Sequence, residues 1–521
     1  MLHRSSHSWR IAIPLFVVTA ICLSCAKTPN PLVLPSYATS QPSDGLVQST
    51  QAAQPDAVPA QDGVFLPGIR GADDTSIYTP TPDALRVLPT LRTETDEYVV
   101  QAGDSLGAIA NRYGVSLEAV VNANGLTNPD LLSAGQVLVI PPPQPGLVGT
   151  SFKIIPDSEL VFGPRSDAFD VSEFISHFDS YLSRYQEEVE GVTLTGVQIV
   201  ERVAREYSLG PRLLLSVLEY QSGWVTQANP EATTRQYPIG IRDSWREGLY
   251  LQLAWAANNL SRGFYLWRVN AVGVWLLADG SSVPIDATIN AGTAGVQQMF
   301  ALLYDRVNWD RAVSPEGVFQ TFGSFFGYPF DYAVEPLIPT GLTQPEMQLP
   351  FESGVVWAFT GGPHGGWADG SAWAGLDFAP DVNGCEVRSE WVTAVADGPI
   401  IRSEYGAVVQ DLDGDGLEGT GWTVLYMHIA ASERVAVGTY LQAGERIGHP
   451  SCEGGFSTGT HLHLARRYNG EWIAADQNVP FVLDGWVSSG TGIYYDGYLT
   501  REGQTLEAWD GFFPANSISR P

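Results

Sequence analysis

Cationic side chains are in short supply. The 521 residues hold 28 Lys plus Arg against 57 Asp plus Glu, a formal charge of −29. Phosphate backbones repel such a surface, which excludes nucleic acid as a partner. Cysteine is scarcer still, at four residues. Histidine numbers eight, and no H-E-x-x-H is present, which excludes a zinc site built on one helix with a Glu base. Long apolar runs are missing too: the stretch Ile11 to Leu23 is too short to span a bilayer comfortably. What is present is 44% hydrophobic residues, 54 Gly and 15 Trp. At about 150 residues per domain, the chain has room for roughly three domains with real cores.

The basic start (Arg4, Arg10) followed by Ile11–Leu23 reads as a signal peptide over residues 1–25. It ends in "CLSC", which resembles a bacterial lipobox with an acylated Cys25, although Cys22 stands where Leu is usual. A lipid anchor to the membrane, or plain secretion as the alternative, makes the expected location extracytoplasmic. Outside the cell the two remaining cysteines, Cys385 and Cys452, are expected to pair. Residues 26–96 are rich in Pro, Ser, Thr, Gln and Asp without a sustained period, as in a flexible linker. About 70 such residues span roughly 45 Å root-mean-square.

Residues 97–142 follow a β-α-α-β pattern. Tyr98–Val100 and Val137–Ile140 alternate like short strands. Between them, Asp104 is placed to cap a helix with Leu106, Ile109, Ala110 and Tyr113 on one face. Ser116 is placed to cap a second helix with Leu117, Val120 and Val121 inward. With "GDSL", "IA", "YGVS" and "L..GQ.L.IP" in place, this segment resembles the LysM module. The resemblance implies binding of N-acetylglucosamine-containing glycans such as peptidoglycan. The implied groove lies between Gly103, Asp104, Ser105 and Leu106 on one side and Asn124, Leu126, Asn128, Pro129 and Leu131 on the other.

Residues 150–340 read as mainly helical. "YSLGPRLLLSVLEYQSG" resembles the start of a lysozyme-like transglycosylase core. Gln221 stands where that family has its catalytic Glu and cannot protonate a glycosidic oxygen. Glu219 lies about 200° around the helix from it. The expectation is a degenerate lysozyme-like module, with glycan cleavage through Glu219 as an alternative. His177 is expected to be a packed or surface residue.

Residues 345–490 change to alternating strands with Gly-rich turns, as in an antiparallel β-rich domain, followed by an extension over 491–521. Five histidines gather here: His364, His428, His449, His461 and His463. In "THLHLARRYNG" alternation puts His461 and His463 on one face, roughly 7 Å apart, and Leu462 and Leu464 on the other. The same rule puts Val424, Tyr426 and His428 together. Two imidazoles on one polar face suit a metal ligand beside a proton-transfer group.

"CEGGFSTGTHLHLARRYNGEW", "LYMHIA", "MQLPF" and "GGPHGGWADGSAWAGLDF" together resemble the LasA/β-lytic group of zinc endopeptidases, relatives of lysostaphin. Most lysostaphin relatives carry His-x-x-x-Asp, and here Trp373 stands four before Asp377. The LasA-like branch takes its His earlier, from a Gly-rich loop, and 377 − 364 = 13 positions fits that branch. The resemblance implies one zinc ion held by His364, Asp377 and His463. Physics alone does not choose between His461 and His463 as ligand; the family pattern does. His461 and His428 are then the implied general base and oxyanion stabiliser, their division of labour open. A non-catalytic wall-binding scaffold is the alternative from another class. His449 reads as a loop or supporting residue. Asp411, Asp413 and Asp415 resemble the start of a calcium loop, but Trp422 occupies the place of its closing Glu, so a solvated acidic turn is the plainer expectation.

Overall fold

The computed structural model describes residues 86, 88–89, 92–101, 104–129, 131–143, 146–380 and 384–520. The signal peptide, Cys25, most of the linker and Gly103 lie outside the described residues. Among those described, no helix is long and apolar enough to cross a membrane.

Strand β1 (Asp96–Val99), helices α1 (Leu106–Tyr113) and α2 (Leu117–Asn124) and strand β2 (Val137–Ile140) form the first unit, with β1 and β2 antiparallel. Leu106, Ile109, Ala110, Val120, Leu138 and Ile140 fill its core. Two expectations shift. Ser105, not Asp104, caps α1 by accepting Ala108 N–H at 3.2 Å, while the Asp104 carboxylate accepts Tyr98 O–H and Gln101 N–H, both at 2.7 Å. Leu117, at the first position of α2, is 42% exposed rather than inward.

The second unit is helical. Its main elements are α3 (Gly196–Tyr207), α4 (Pro211–Ser222), α5 (Leu249–Arg268), α6 (Ala291–Ala301) and α7 (Val318–Phe326). The break before α4 is chemical: Ser208 turns left-handed at φ 52°, and Pro211, whose missing N–H costs nothing at a first helical position, restarts the helix.

The third unit is a nine-stranded antiparallel sheet. Its strands are β3 (Val356–His364), β4 (Gly375–Ala379), β5 (Gly398–Glu404), β6 (Ala407–Asp411), β7 (Trp422–Met427), β8 (Tyr440–Leu441), β9 (Leu462–Tyr468) and β10 (Ser517–Ser519). They lie in the order β8-β5-β6-β7-β9-β4-β3-β10, with Glu471–Trp472 paired to β9. The edge strand β10 comes from the segment expected to be an extension, so the sheet reaches past residue 490. Cys385 and Cys452 are joined by a disulfide, as expected.

Alternation along these strands makes two buried faces. Val408, Val424, Tyr426, Leu462, Leu464, Leu376 and Phe378 pack on one side. Leu425, Met427, Ala465, Val409 and Ala374 face the other way and join the core of the helical unit, with Trp472 and Trp367. The helical and β units therefore share one apolar core. A buried carboxylate lies at the contact: Glu418 is paired within the β unit with Arg402 and Arg467, and the partly exposed Arg205 on α3 reaches it from the helical unit at 3.4 Å. Burial alone would raise the Glu418 carboxyl; the two guanidinium groups hold it down at about 2.

The disulfide closes a loop of 67 residues. In the chain-entropy account such a loop is worth about 4 kcal/mol. Replacing Cys385 and Cys452 with Ser is expected to lower the unfolding midpoint of the β unit by a matching amount, read by calorimetry with and without reductant. Equal midpoints for the two proteins would contradict it.

Candidate metal centre and active site

Register builds the site. β9 pairs with β4 so that His463 lies directly opposite Asp377. β3 pairs with β4, with shifts on both sides of Gly361, and ends with His364 opposite Gly375. His364 is thus the last residue of a strand rather than part of the Gly-rich loop, and the shifts re-aim its ring toward the aspartate. His364 Nε2, His463 Nδ1 and Asp377 Oδ1 form a triangle with edges of 2.8, 3.0 and 3.2 Å. All three residues are buried.

The outer ring nitrogens decide what the inner ones can do. His364 Nδ1 donates to Gly362 C=O at 2.8 Å, and His463 Nε2 donates to Gly366 C=O at 3.0 Å. In the neutral rings each inner nitrogen therefore carries a lone pair. Two lone pairs facing each other at 2.8 Å repel unless a cation lies between them. Zinc bonds of about 2.0–2.2 Å in tetrahedral geometry separate ligand atoms by roughly 3.3 Å, close to the edges seen here. The donor set, two imidazoles and a carboxylate, suits the same ion. The residues present fit zinc.

Electrostatics agree. Burial pulls the His463 imidazole below its ordinary pKa against the attraction of Asp377, which leaves it neutral. Burial works to raise the Asp377 carboxyl, but the positive charge that His364 and His461 carry when protonated, and then hydrogen bonds from His364 and His463, hold it well below the usual range; with the rings neutral, a bound cation would supply that positive charge.

His428 and His461 follow the same pattern. His428 Nδ1 donates to Glu453 C=O at 3.1 Å and His461 Nδ1 to Gly459 C=O at 2.7 Å. Their rings lie 4.4 Å apart, and His461 Nε2 is 3.7 Å from Asp377 Oδ2. His428 sits one residue beyond β7. Strict alternation would send it into the core with Tyr426, but its φ of 67° turns the ring to the opposite face, near His463. Burial, then the neighbouring histidines, lower its pKa to about 3.

Sequence reasoning missed two neighbours. Tyr495 stacks on the His364 ring at 4.1 Å, and the Tyr494 hydroxyl accepts Gly365 N–H at 3.1 Å. They lie in the supposed extension, and no local pattern ties them to His364. Burial pushes the Tyr494 hydroxyl up to about 12.

Glycine is required at Gly375. A Cβ there would overlap His463 Cε1 and approach Nε2 to 3.0 Å. Gly375→Ala is expected to displace that ring and to weaken zinc binding by at least about 10-fold. Chelator competition measures it, and an unchanged affinity would count against the register described.

The other expected residues are placed as follows. In the first unit Leu106 is buried in the core, and the Asn124 side chain exchanges two hydrogen bonds with the Val139 backbone, so both shape the loops. Leu126 packs against that core, and Leu131 is 71% exposed. Gln221 bonds Ile239 C=O and the Tyr304 hydroxyl. The Glu219 carboxylate lines a cavity of about 310 Å³ with Thr226, Gln320 and Phe325, but it already accepts Val225 N–H, Thr226 N–H and Thr226 O–H. His177 ends a short helix at the surface. His449 lies against Trp391 and bonds Glu390 and Glu433, apart from the triangle.

Asp411, Asp413 and Asp415 do group within 4.8 Å. Asp411, however, accepts N–H from Asp413, Gly414 and Gly416, and Asp415 accepts from Leu417 and Thr420. Burial, then the Asp411 carboxyl, raises Asp413 to about 7. Calcium is not supported there; the loop is an acidic turn.

Comparison with known proteins agrees with these three units. Residues 98–141 match the LysM domain, 153–338 the LasA N-terminal domain and 372–475 peptidase family M23. Protease LasA of Pseudomonas aeruginosa is 26% identical over 341 residues, covering 61% of this chain and 74% of that protein. The β-lytic metalloendopeptidase of Lysobacter enzymogenes is 27% identical over 173 residues, covering 32% of this chain and 92% of that protein. A solved structure described as a novel M23 metalloprotease, pseudoalterin, from the deep sea is 24% identical, covers 33% of this chain and 99% of its own, and has a TM-score of 0.27. The chain thus carries a LysM domain, a LasA N-terminal domain and an M23 peptidase domain.

Proposed function

We propose that this protein is a zinc-dependent endopeptidase of the cell envelope that hydrolyses peptide stems or cross-bridges of peptidoglycan, with the LysM unit holding the glycan. His364 Nε2, Asp377 and His463 Nδ1 would hold the ion, and bound zinc supplies Lewis acidity to a water and to the scissile carbonyl. His428 and His461 hold and move protons at Nε2, since each Nδ1–H is committed to a backbone carbonyl. A neutral His428 can accept a proton and, once charged, return it to the leaving amine. The LysM groove and the linker raise the local concentration of an acidic enzyme at an insoluble, anionic substrate. Acylation at Cys25 would add a membrane tether.

One observation carries the reading: four histidines each set one ring nitrogen on a backbone carbonyl, and three of them, His364, His461 and His463, bring the other nitrogen within 3.7 Å of the Asp377 carboxylate. Glycan cleavage at Glu219 is less favoured, because its carboxylate is already engaged. Zinc-loaded full chain incubated with purified peptidoglycan is expected to release new amino termini without new reducing ends, with mass spectrometry locating the bond. Reducing ends that vanish in Glu219→Gln would favour the glycan reading. No release of either kind would leave a binding scaffold.

A further inference from the structure

The carbonyl that orients His463 does not belong to the sheet. Gly366 opens a loop, 366–372, that closes on itself: Gly366 N–H donates to Ala372 C=O at 3.0 Å, and Trp367 N–H to the Ser371 hydroxyl at 3.0 Å. The loop's crest is gripped from the helical unit. Asn258 on α5 donates from Nδ2 to Asp369 Oδ1 at 2.7 Å and accepts Gly370 N–H on Oδ1 at 2.8 Å. One turn on, Arg262 pairs with Asp369 Oδ2 at 2.7 Å. The approach is close enough that a Cβ on Gly370 would overlap the Asn258 carbonyl. Trp367 is buried in the shared core beneath the loop.

We propose that Asn258 and Arg262 are positioning residues for the metal centre, acting through the 366–372 loop on the Gly366 carbonyl and so on the tautomer and aim of His463. This deepens the zinc reading and rests on it. The two side chains sit four residues apart on α5 and so share a face. One reads a backbone N–H and a carboxylate oxygen together; the other fixes the second oxygen. The two contacts set the loop's height over β4. A carbonyl held in place keeps the proton on His463 Nε2 and the lone pair on Nδ1; a drifting carbonyl lets the tautomers mix. The helical unit thereby becomes part of what holds the ion, although none of its residues touches it.

Two measurements on the full chain test this. Zinc affinity by chelator competition is expected to fall about 10-fold in Asn258→Ala and in the milder Arg262→Gln, in the range typical of losing an outer partner of a metal ligand. With 15N-labelled histidine and no metal, His463 is expected to show a single Nε2–H tautomer in the native chain and a mixture in the variants. Arg205→Ala serves as control: it removes another ion pair between the same two units, with Glu418, away from the loop. It should change neither reading. Unchanged affinity and tautomer in Asn258→Ala and Arg262→Gln would overturn the proposal, as would equal losses in Arg205→Ala. A native chain that binds no zinc would defeat the metal reading itself; the nitrogen signature of His463 would still decide whether α5 positions the ring.

Discussion

His463→Ala is expected to reduce the release of amino termini from peptidoglycan to background and to abolish stabilisation by zinc. The variant removes one corner of a triangle whose edges are 2.8 to 3.2 Å. The two groups left, His364 and Asp377, make too few bonds to hold an ion firmly. The loss should exceed the 10- to 100-fold that follows loss of an outer partner of a ligand, about 10-fold or more beyond the Asn258 variant. Stability provides a readout independent of catalysis. A ligand at 1,000 times its dissociation constant stabilises the native state by about 4 kcal/mol. Native protein should therefore unfold at a higher temperature with zinc than with a chelator, and His463→Ala should unfold at the same temperature in both. Without metal the variant need not be the weaker protein, because the substitution also removes one of two opposed lone pairs from a buried site. A variant that zinc still protects would show that His463 is not a ligand and would reopen the case for His461.

Periodicity carried much of the site. The H-x-H at the start of β9, with His461 one residue before the strand, put His461 and His463 on the face away from Leu462 and Leu464, and the structure has those leucines in the opposite core. The LysM pattern was equally readable, because its two helices and two strands lie within one short segment and close on their own core. What alternation could not convey was any departure from it. The register shifts that bring His364 to Asp377 insert residues into a strand whose composition alone does not reveal them. The left-handed turn at His428 reverses the face that a period of two assigns. Capping was ambiguous for a similar reason: Asp104 and Ser105 are both good caps, and the choice fell to Tyr98, whose hydroxyl claims the aspartate. Contacts between distant segments were out of reach. Tyr495 reaches His364 across 131 positions (495 − 364), and α5 meets the 366–372 loop only because the sheet's second face is covered by the helical unit.

The left-handed His428 yields the second large effect, and it divides activity from stability. An L-residue at φ 67° costs roughly 1–2 kcal/mol relative to glycine, which adopts that conformation freely. Strain retained at a buried imidazole beside His461 is the kind found at functional sites. His428→Ala and His428→Gly should each lower kcat by about 10²- to 10⁴-fold, the range for losing a proton-transfer group, while zinc stays bound. They should differ in stability. Both lose the ring, but only alanine keeps a Cβ in the unfavourable conformation, so His428→Gly should be the more stable of the two by about 1 kcal/mol. Denaturant midpoints compared at equal slope read this difference, and metal content measured alongside confirms that the centre survives. Equal stability for the two variants would mean the backbone relaxes once the ring is gone. That result would place the source of the turn in the ring's hydrogen bond to Glu453 rather than in the chain. A kcat that stayed near the native value would remove His428 from the reaction altogether and leave His461 to move the proton alone.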